Sequence, residues 1–221
     1  MTKRRCLSQL IWPSNPADAQ LPVDWASSVA IHLMDCLWRS YDQLRQKHLA
    51  RIDLTQDPIQ LERGLTEIHF LEIQLIWRKD TGGFASVIPS HEADEFETVQ
   101  GPSAKPIAYD LCFVHFMNAR WKLPIEAKVL QTDGAIAEYL IDVRNKFVAG
   151  RGAPLVGVAG MIGYLLHGTP ATVFANLEAE LKQSLQEVAE FPTRPHRISQ
   201  HARATTPELK LHHMIMQLES A

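Results

Sequence analysis

The chain has 221 residues, 46% of them hydrophobic, and a formal net charge of −3. That length suits one domain, or one domain with an appendage, and is ample for a packed core. No apolar run approaches the roughly 18 residues of a membrane span. A pI near 6.4 argues against a grip on nucleic acid through bulk positive charge, because such affinity comes largely from phosphate neutralisation.

The three cysteines, Cys6, Cys36 and Cys112, are scattered and odd in number. They form neither a metal cluster nor a disulfide framework, so a reducing cytoplasm fits. The start, Met1-Thr2-Lys3-Arg4-Arg5-Cys6, carries basic residues with no long apolar stretch behind them, and predicts no signal peptide.

In chain order, a Pro- and Ala-rich arm leads to a helix capped by Asp24 and running to about His48. Trp25, Val29, Leu33, Leu37, Tyr41 and Leu44 recur at three- and four-residue spacing along it. Asp57-Pro58 opens a second helix, with Asp57 as cap and Pro58 in its first turn. Leu61, Leu65, Ile68, Leu75 and Ile76 form its apolar stripe. Residues 79–106 are loop-like, with Gly82-Gly83, Pro89, Pro102 and Pro106, an acidic stretch at His91-Glu92-Ala93-Asp94-Glu95 and a short strand at 84–88.

Two strands follow. The first, Ile107-Ala108-Tyr109-Asp110-Leu111-Cys112-Phe113-Val114-His115-Phe116, is apolar with one acid inside it. The second is Leu123-Pro124-Ile125-Glu126-Ala127-Lys128-Val129-Leu130, with Leu123, Ile125, Ala127 and Val129 on its apolar face. Side chains alternate across a strand, so Glu126 and Lys128 share the other face. The short connection makes an antiparallel hairpin. A turn centred on Asn118 and Ala119 sets Asp110 opposite about position 127, and a register of 126 or 128 puts all three polar groups on one face. Cross-strand Cβ atoms lie about 5 Å apart, a spacing at which two carboxylates can share a divalent cation.

Beyond the hairpin, Thr132-Asp133-Gly134 caps a helix from about Ala135 to Val148, with Ile136, Tyr139, Leu140, Val143 and Phe147 buried. The run Leu155–Leu166, interrupted by three glycines, reads as a strand near 155–158 and then a helix through Met161-Ile162-Gly163-Tyr164. Thr169-Pro170 opens a helix to about Val188, and Leu209–Leu218 is strand-like. Four histidines, His196, His201, His212 and His213, lie near the end. No Cys joins them and their spacing fits no standard zinc site, so packing is the favoured reading.

The order Asp110…Glu126-Ala127-Lys128, with a helix before the hairpin, resembles the active-site signature of the PD-(D/E)XK nuclease superfamily. The resemblance covers about residues 59–166 and rests on order and context. One departure is that Tyr109, not Pro, precedes Asp110, although Pro106 lies just upstream. It implies an α/β restriction-endonuclease-like domain over residues 57–221, a mixed central sheet flanked by helices, with a helical N-terminal extension over 1–56. It implies that Asp110 and Glu126 bind Mg²⁺, for which Mn²⁺ can substitute, with the Ala127 carbonyl joining them. Lys128 positions or activates the attacking water. Family members often carry a metal-linked Glu on the first core helix, and Glu62 in Glu62-Arg63-Gly64-Leu65-Thr66 matches it, with Glu67 and Glu72 as competitors.

Arg144, Lys146 and Arg151 are candidates for phosphate contact, with plain surface solvation as the alternative. The expected activity is metal-dependent hydrolysis of DNA, with DNA favoured over RNA. The expected setting is a bacterial anti-phage defence or restriction system, with the chain acting as a homo-oligomer or beside a partner protein. Two other readings stay open: a non-catalytic interaction subunit on a nuclease-like scaffold, and an RNA-cleaving nuclease.

Overall fold

The computed structural model describes residues 16–80, 87–95 and 105–218. Helix α1 (Pro16–Lys47) is followed by a 3₁₀ turn (Leu49–Arg51) and helix α2 (Pro58–Lys79). An antiparallel meander comes next: β1 (Val87–Glu95), β2 (Ile107–His115) and β3 (Asn118–Leu130). Helix α3 (Ala137–Asp142) passes directly into a π-helical turn (Val143–Val148). Then come β4 (Val158–Leu165), helix α4 (Pro170–Leu181), β5 (Gln186–Glu187), β6 (His196–His201) and β7 (Leu209–Gln217).

The seven strands form one mixed sheet in the order β1-β2-β3-β4-β7-β6-β5. β3, β4 and β7 run parallel, and the pairs at either side are antiparallel. Register assigns the faces. Glu126 aligns with Met161 and Met161 with His213, while Ile125 aligns with Gly160 and Gly160 with His212. Tyr139 of α3 bonds His213, so α3 covers the Glu126 face. Trp38 of α1 bonds His196, and His69 of α2 bonds Tyr164 on the opposite face. Helices therefore cover both faces, and α1 shares one continuous core with the sheet. Among the described residues no helix is long and apolar enough to cross a membrane.

Local chemistry explains most boundaries. Asp57 caps α2 by accepting from the N–H groups of Ile59 and Gln60, and Pro58 occupies the first turn, where its missing N–H costs nothing. Thr169 caps α4 by accepting from Thr172 N–H. Pro124 is tolerated inside β3 because the ladder to β4 begins only at Ile125.

The structure corrects several expectations. α1 starts at Pro16 and runs through Pro22, where a loose arm was expected. Asp24 accepts from Gln20 Nε2 within the helix and caps nothing. The acidic stretch from His91 to Glu95 lies in β1, antiparallel to β2, where a loop was expected; residues 84–86 of the expected short strand fall outside the described residues. The hairpin turns at Phe116 and Met117, so Asn118 opens β3.

The largest correction concerns 155–166, where a strand-to-helix switch was expected. Residues Val158–Leu165 form one fully buried parallel strand, β4, and 155–157 lie in the bend before it. Its glycines make room for neighbours and no turn. A Cβ at Gly160 would fall 2.5 Å from Ile125 Cδ1, and one at Gly163 2.8 and 2.9 Å from Leu130 Cδ1 and Ile215 Cδ1. The helix expected to reach Val188 ends at Lys182, which takes a left-handed conformation at φ 55°.

Candidate active site

The site forms where two strands part. β2 and β3 are paired from His115 and Asn118 to Leu111 and Ile125. Past that point β2 stays with β1 as far as Ile107, and β3 stays with β4 as far as Leu130. Alternate residues of a strand direct their N–H groups to the same side, so Ala127 and Val129 aim theirs into the gap. An unpaired buried donor costs about 1–3 kcal/mol. Two carboxylates satisfy these: Ala127 N–H donates to Asp110 Oδ2 at 2.8 Å, and Val129 N–H to Glu62 Oε2 at 3.2 Å. Asp110 comes from β2, and Glu62 reaches the fork from the first turns of α2.

Two ammonium groups bridge the acids. Lys128 Nζ lies 2.9 Å from Glu62 Oε1 and 3.3 Å from Asp142 Oδ2. Lys146 Nζ lies 2.7 Å from Glu126 Oε2 and 3.4 Å from Asp142 Oδ1. Four carboxylates thus face two cations. Glu126 is 1% exposed, and its second oxygen, Oε1, is buried with no hydrogen-bond partner.

Burial pushes the Glu126 carboxyl well above its ordinary value, the Asp110 charge adds to this, and Lys146 opposes it. Glu62 is also raised by burial, against the pull of Lys128. Burial works against both lysines, yet Glu62 beside Lys128 and Glu126 beside Lys146 hold the two ammonium groups above their usual range. The site is therefore an under-neutralised acidic cluster in a low-dielectric wall.

The raised Glu126 value sets a pH dependence. Between the ordinary value of 4.5 and the higher folded value, the folded chain keeps a proton that the unfolded chain has released. The unfolding free energy from this group is then greatest at low pH and falls as pH rises through that window. Urea melts from pH 4.5 upward are expected to show a negative slope that Glu126→Gln flattens. An unchanged slope in the variant would assign the effect elsewhere.

Most residues singled out in the sequence meet here. Asp110, Glu126 and Lys128 share one face of the fork, as the register predicts. Of the three helix acids, Glu62 reaches it. Glu72 pairs instead with Lys47 at the end of α1 and with His48 just beyond it, each at 2.9 Å, and Glu67 is exposed. Ala127 takes part through its N–H. Lys146 belongs to the cluster. Arg144 does not, since it pairs with Glu180 of α4 at 3.0 Å, and Arg151 is exposed in the turn after the π segment.

Asp142, which links both lysines, escaped the sequence reading. Its only signal was an acid inside an apolar helix stripe, four residues before a lysine. Among the described residues no group of three His, Cys, Asp or Glu side chains is arranged to hold a metal ion as it stands. The lysines that stand between the carboxylates are the physical reason.

The terminal histidines form two hydrogen-bonded sets, one on each face of the sheet. His196 accepts from Trp38 Nε1 at 3.2 Å and shares a hydrogen bond of 2.9 Å with His212. Ser199 Oγ sits 2.7 Å from both His201 Nε2 and His213 Nε2, and His213 continues to Tyr139 Oη at 2.9 Å. Burial lowers His196 to about 2 and His212 and His213 to about 3, so these three are neutral. Ser199→Ala strands two ring nitrogens, one of them fully buried. A destabilisation of about 1–3 kcal/mol is expected in urea unfolding, and a loss below a few tenths would show the network to be slack.

Arg203 packs half-buried against loops. Its guanidinium donates to the carbonyls of Pro207, Gly152, Ala153 and Val156 at 2.6 to 3.2 Å, and reaches that of Phe147 at 3.5 Å. Burial without a carboxylate partner lowers it to about 10, still charged at neutral pH. The clamp closes the turn behind the π segment that carries Lys146. The chain matches no protein-family model, and no curated protein or solved structure matches it.

Proposed function

We propose that the chain is a metal-dependent nuclease of the restriction-endonuclease-like kind, hydrolysing phosphodiester bonds in DNA in preference to RNA. One observation carries this reading. Asp110, Glu126 and Lys128, in PD-(D/E)XK order, share one face at a strand fork, and Glu62 joins them from the preceding helix. The helix–meander–helix–parallel-strand sequence of elements supports the same scaffold.

The residues fit a hard divalent cation such as Mg²⁺. All the donors are carboxylate oxygens, and Glu126 Oε1 is buried without a partner. Asp110 and Glu126 would hold the ion, with Glu62 at its edge. When bound, it would lower the pKa of a water and offset charge on the phosphate. Lys128, tethered to Glu62 and Asp142, directs its ammonium at the negative charge that grows on the phosphate oxygens. Water oxygen bonds to phosphorus as the ester P–O bond breaks; the attacking water releases a proton to solvent, and the leaving oxygen takes one up.

Both site lysines are already engaged by acids, and the net charge is −3. A firm grip on a polyanion then calls for a second copy or a partner protein, which agrees with a cytoplasmic effector of a defence or restriction system. The test is cleavage of supercoiled plasmid, linear DNA and single-stranded RNA with Mg²⁺, with Mn²⁺ and with chelator. Metal-dependent cutting supports the reading and chooses the substrate.

The lysine-bridged acids favour one rival, a non-catalytic interaction subunit whose charges only close the fork. No cutting together with no Mn²⁺ binding would select it.

A further inference from the structure

We infer that Lys146 is a built-in competitor for the divalent cation, occupying its place at Glu126 until it is released. This rests on the nuclease reading in that the cation binds at Glu126.

The two lysines are not equivalent. Lys128 is anchored on Glu62 and Asp142, and among the described residues it forms no ion pair with Glu126. Lys146 alone sits on Glu126, with Nζ 2.7 Å from Oε2. At that distance its ammonium fills the position a cation needs in order to reach the same oxygen.

Lys146 also has a way out. Asp142 Oδ1 is 3.4 Å from the same Nζ. The ammonium can therefore swing from Glu126 onto Asp142 without stranding its charge in a desolvated wall. Its side chain is 25% exposed, against 1% for Glu126, so the swing has room on the solvent side. Glu126 gains from the exchange, because Oε1 has no partner while Lys146 holds Oε2.

The backbone around Lys146 is fixed. Gly152 N–H donates to its carbonyl at 2.6 Å, and Arg203 grips Gly152 and Ala153. The side chain is then the moving part. Its helix turn is π in form, a local register change that recurs at functional sites. Lys146 follows Asp142 by four residues, a spacing at which two helical side chains meet.

The test is calorimetric titration of the full chain, stripped of metal, with MnCl₂ at fixed pH. Lys146→Gln can still donate to Glu126 Oε2 but carries no charge. It is expected to bind Mn²⁺ about tenfold tighter than the parent, the scale on which one adjacent charge acts. Lys146→Arg should stay near the parent, and Lys128→Gln should gain much less than Lys146→Gln. In the parent protein labelled with ¹⁵N-lysine, Mg²⁺ should move the Lys146 Nζ resonance more than that of Lys128.

Mn²⁺ binding with no gain in Lys146→Gln, an equal gain in Lys128→Gln, or a stationary Lys146 resonance would overturn the inference and leave the nuclease reading standing. Absence of Mn²⁺ binding in the parent and every variant would overturn both.

Discussion

Glu126→Ala and Lys128→Ala are each expected to abolish metal-dependent cleavage, lowering kcat by about a hundred- to a thousandfold or more. The fold should survive both changes. Without Glu126, Lys146 keeps Asp142 as its partner, and a desolvated carboxyl is removed from the wall. Without Lys128, Glu62 still accepts from Val129 N–H, and the fork stays capped. Circular dichroism and thermal melts beside the plasmid assay separate lost chemistry from lost structure. Full cleavage by either folded variant would sink the assignment of the site.

Arg203→Ala is expected to cost about 3–5 kcal/mol in urea unfolding. The reason is geometric. One planar fork satisfies carbonyls from two separate loops, and their removal leaves several buried acceptors facing a void. Lysine should recover little of the loss, since a single ammonium cannot reproduce the fan of donors. The damage should extend to the fork, because the clamped loop holds the end of the π segment that carries Lys146. A variant within about 1 kcal/mol of the parent would show that the clamp is incidental.

Much of the site was legible because strand alternation is a local rule. An acid in one apolar strand, and Glu-x-Lys in the next, determine that Asp110, Glu126 and Lys128 share a face whenever the hairpin closes in even register. The actual turn, at Phe116 and Met117, lies a little before the expected one. The irregularity between Val114 and His115 restores the register that brings the three together. Glu62 was singled out by the resemblance, through the run Glu62-Arg63-Gly64-Leu65-Thr66, and the Asp57-Pro58 start places that run in the first turns of α2.

Other features depended on partners remote in sequence. β4 was misread because glycine signals a turn when only its own backbone is weighed. Here Gly160 and Gly163 yield space to Ile125, Leu130 and Ile215, which arrive from β3 and β7. β6 was missed because His196, Ser199 and His201 look like a polar tail until His212, His213, Trp38 and Tyr139 supply their bonds. Asp142 looked like an acid misplaced on an apolar stripe until the fork delivered two lysines to it.

The sequence by itself determined helices α1 and α2 ahead of the β2–β3 hairpin, the cap of α2, and the shared face of Asp110, Glu126 and Lys128, because caps, turns and alternation act over a few residues. Only the tertiary structure decided that β2 and β3 part just beyond Leu111 and Ile125, that Ala127 and Val129 there turn to carboxylates for their hydrogen bonds, and that Asp142 and Lys146 close the charge cluster. Those outcomes depend on burial and on charges brought together across dozens of residues, and no local pattern encodes a desolvated charge or the neighbour that answers it.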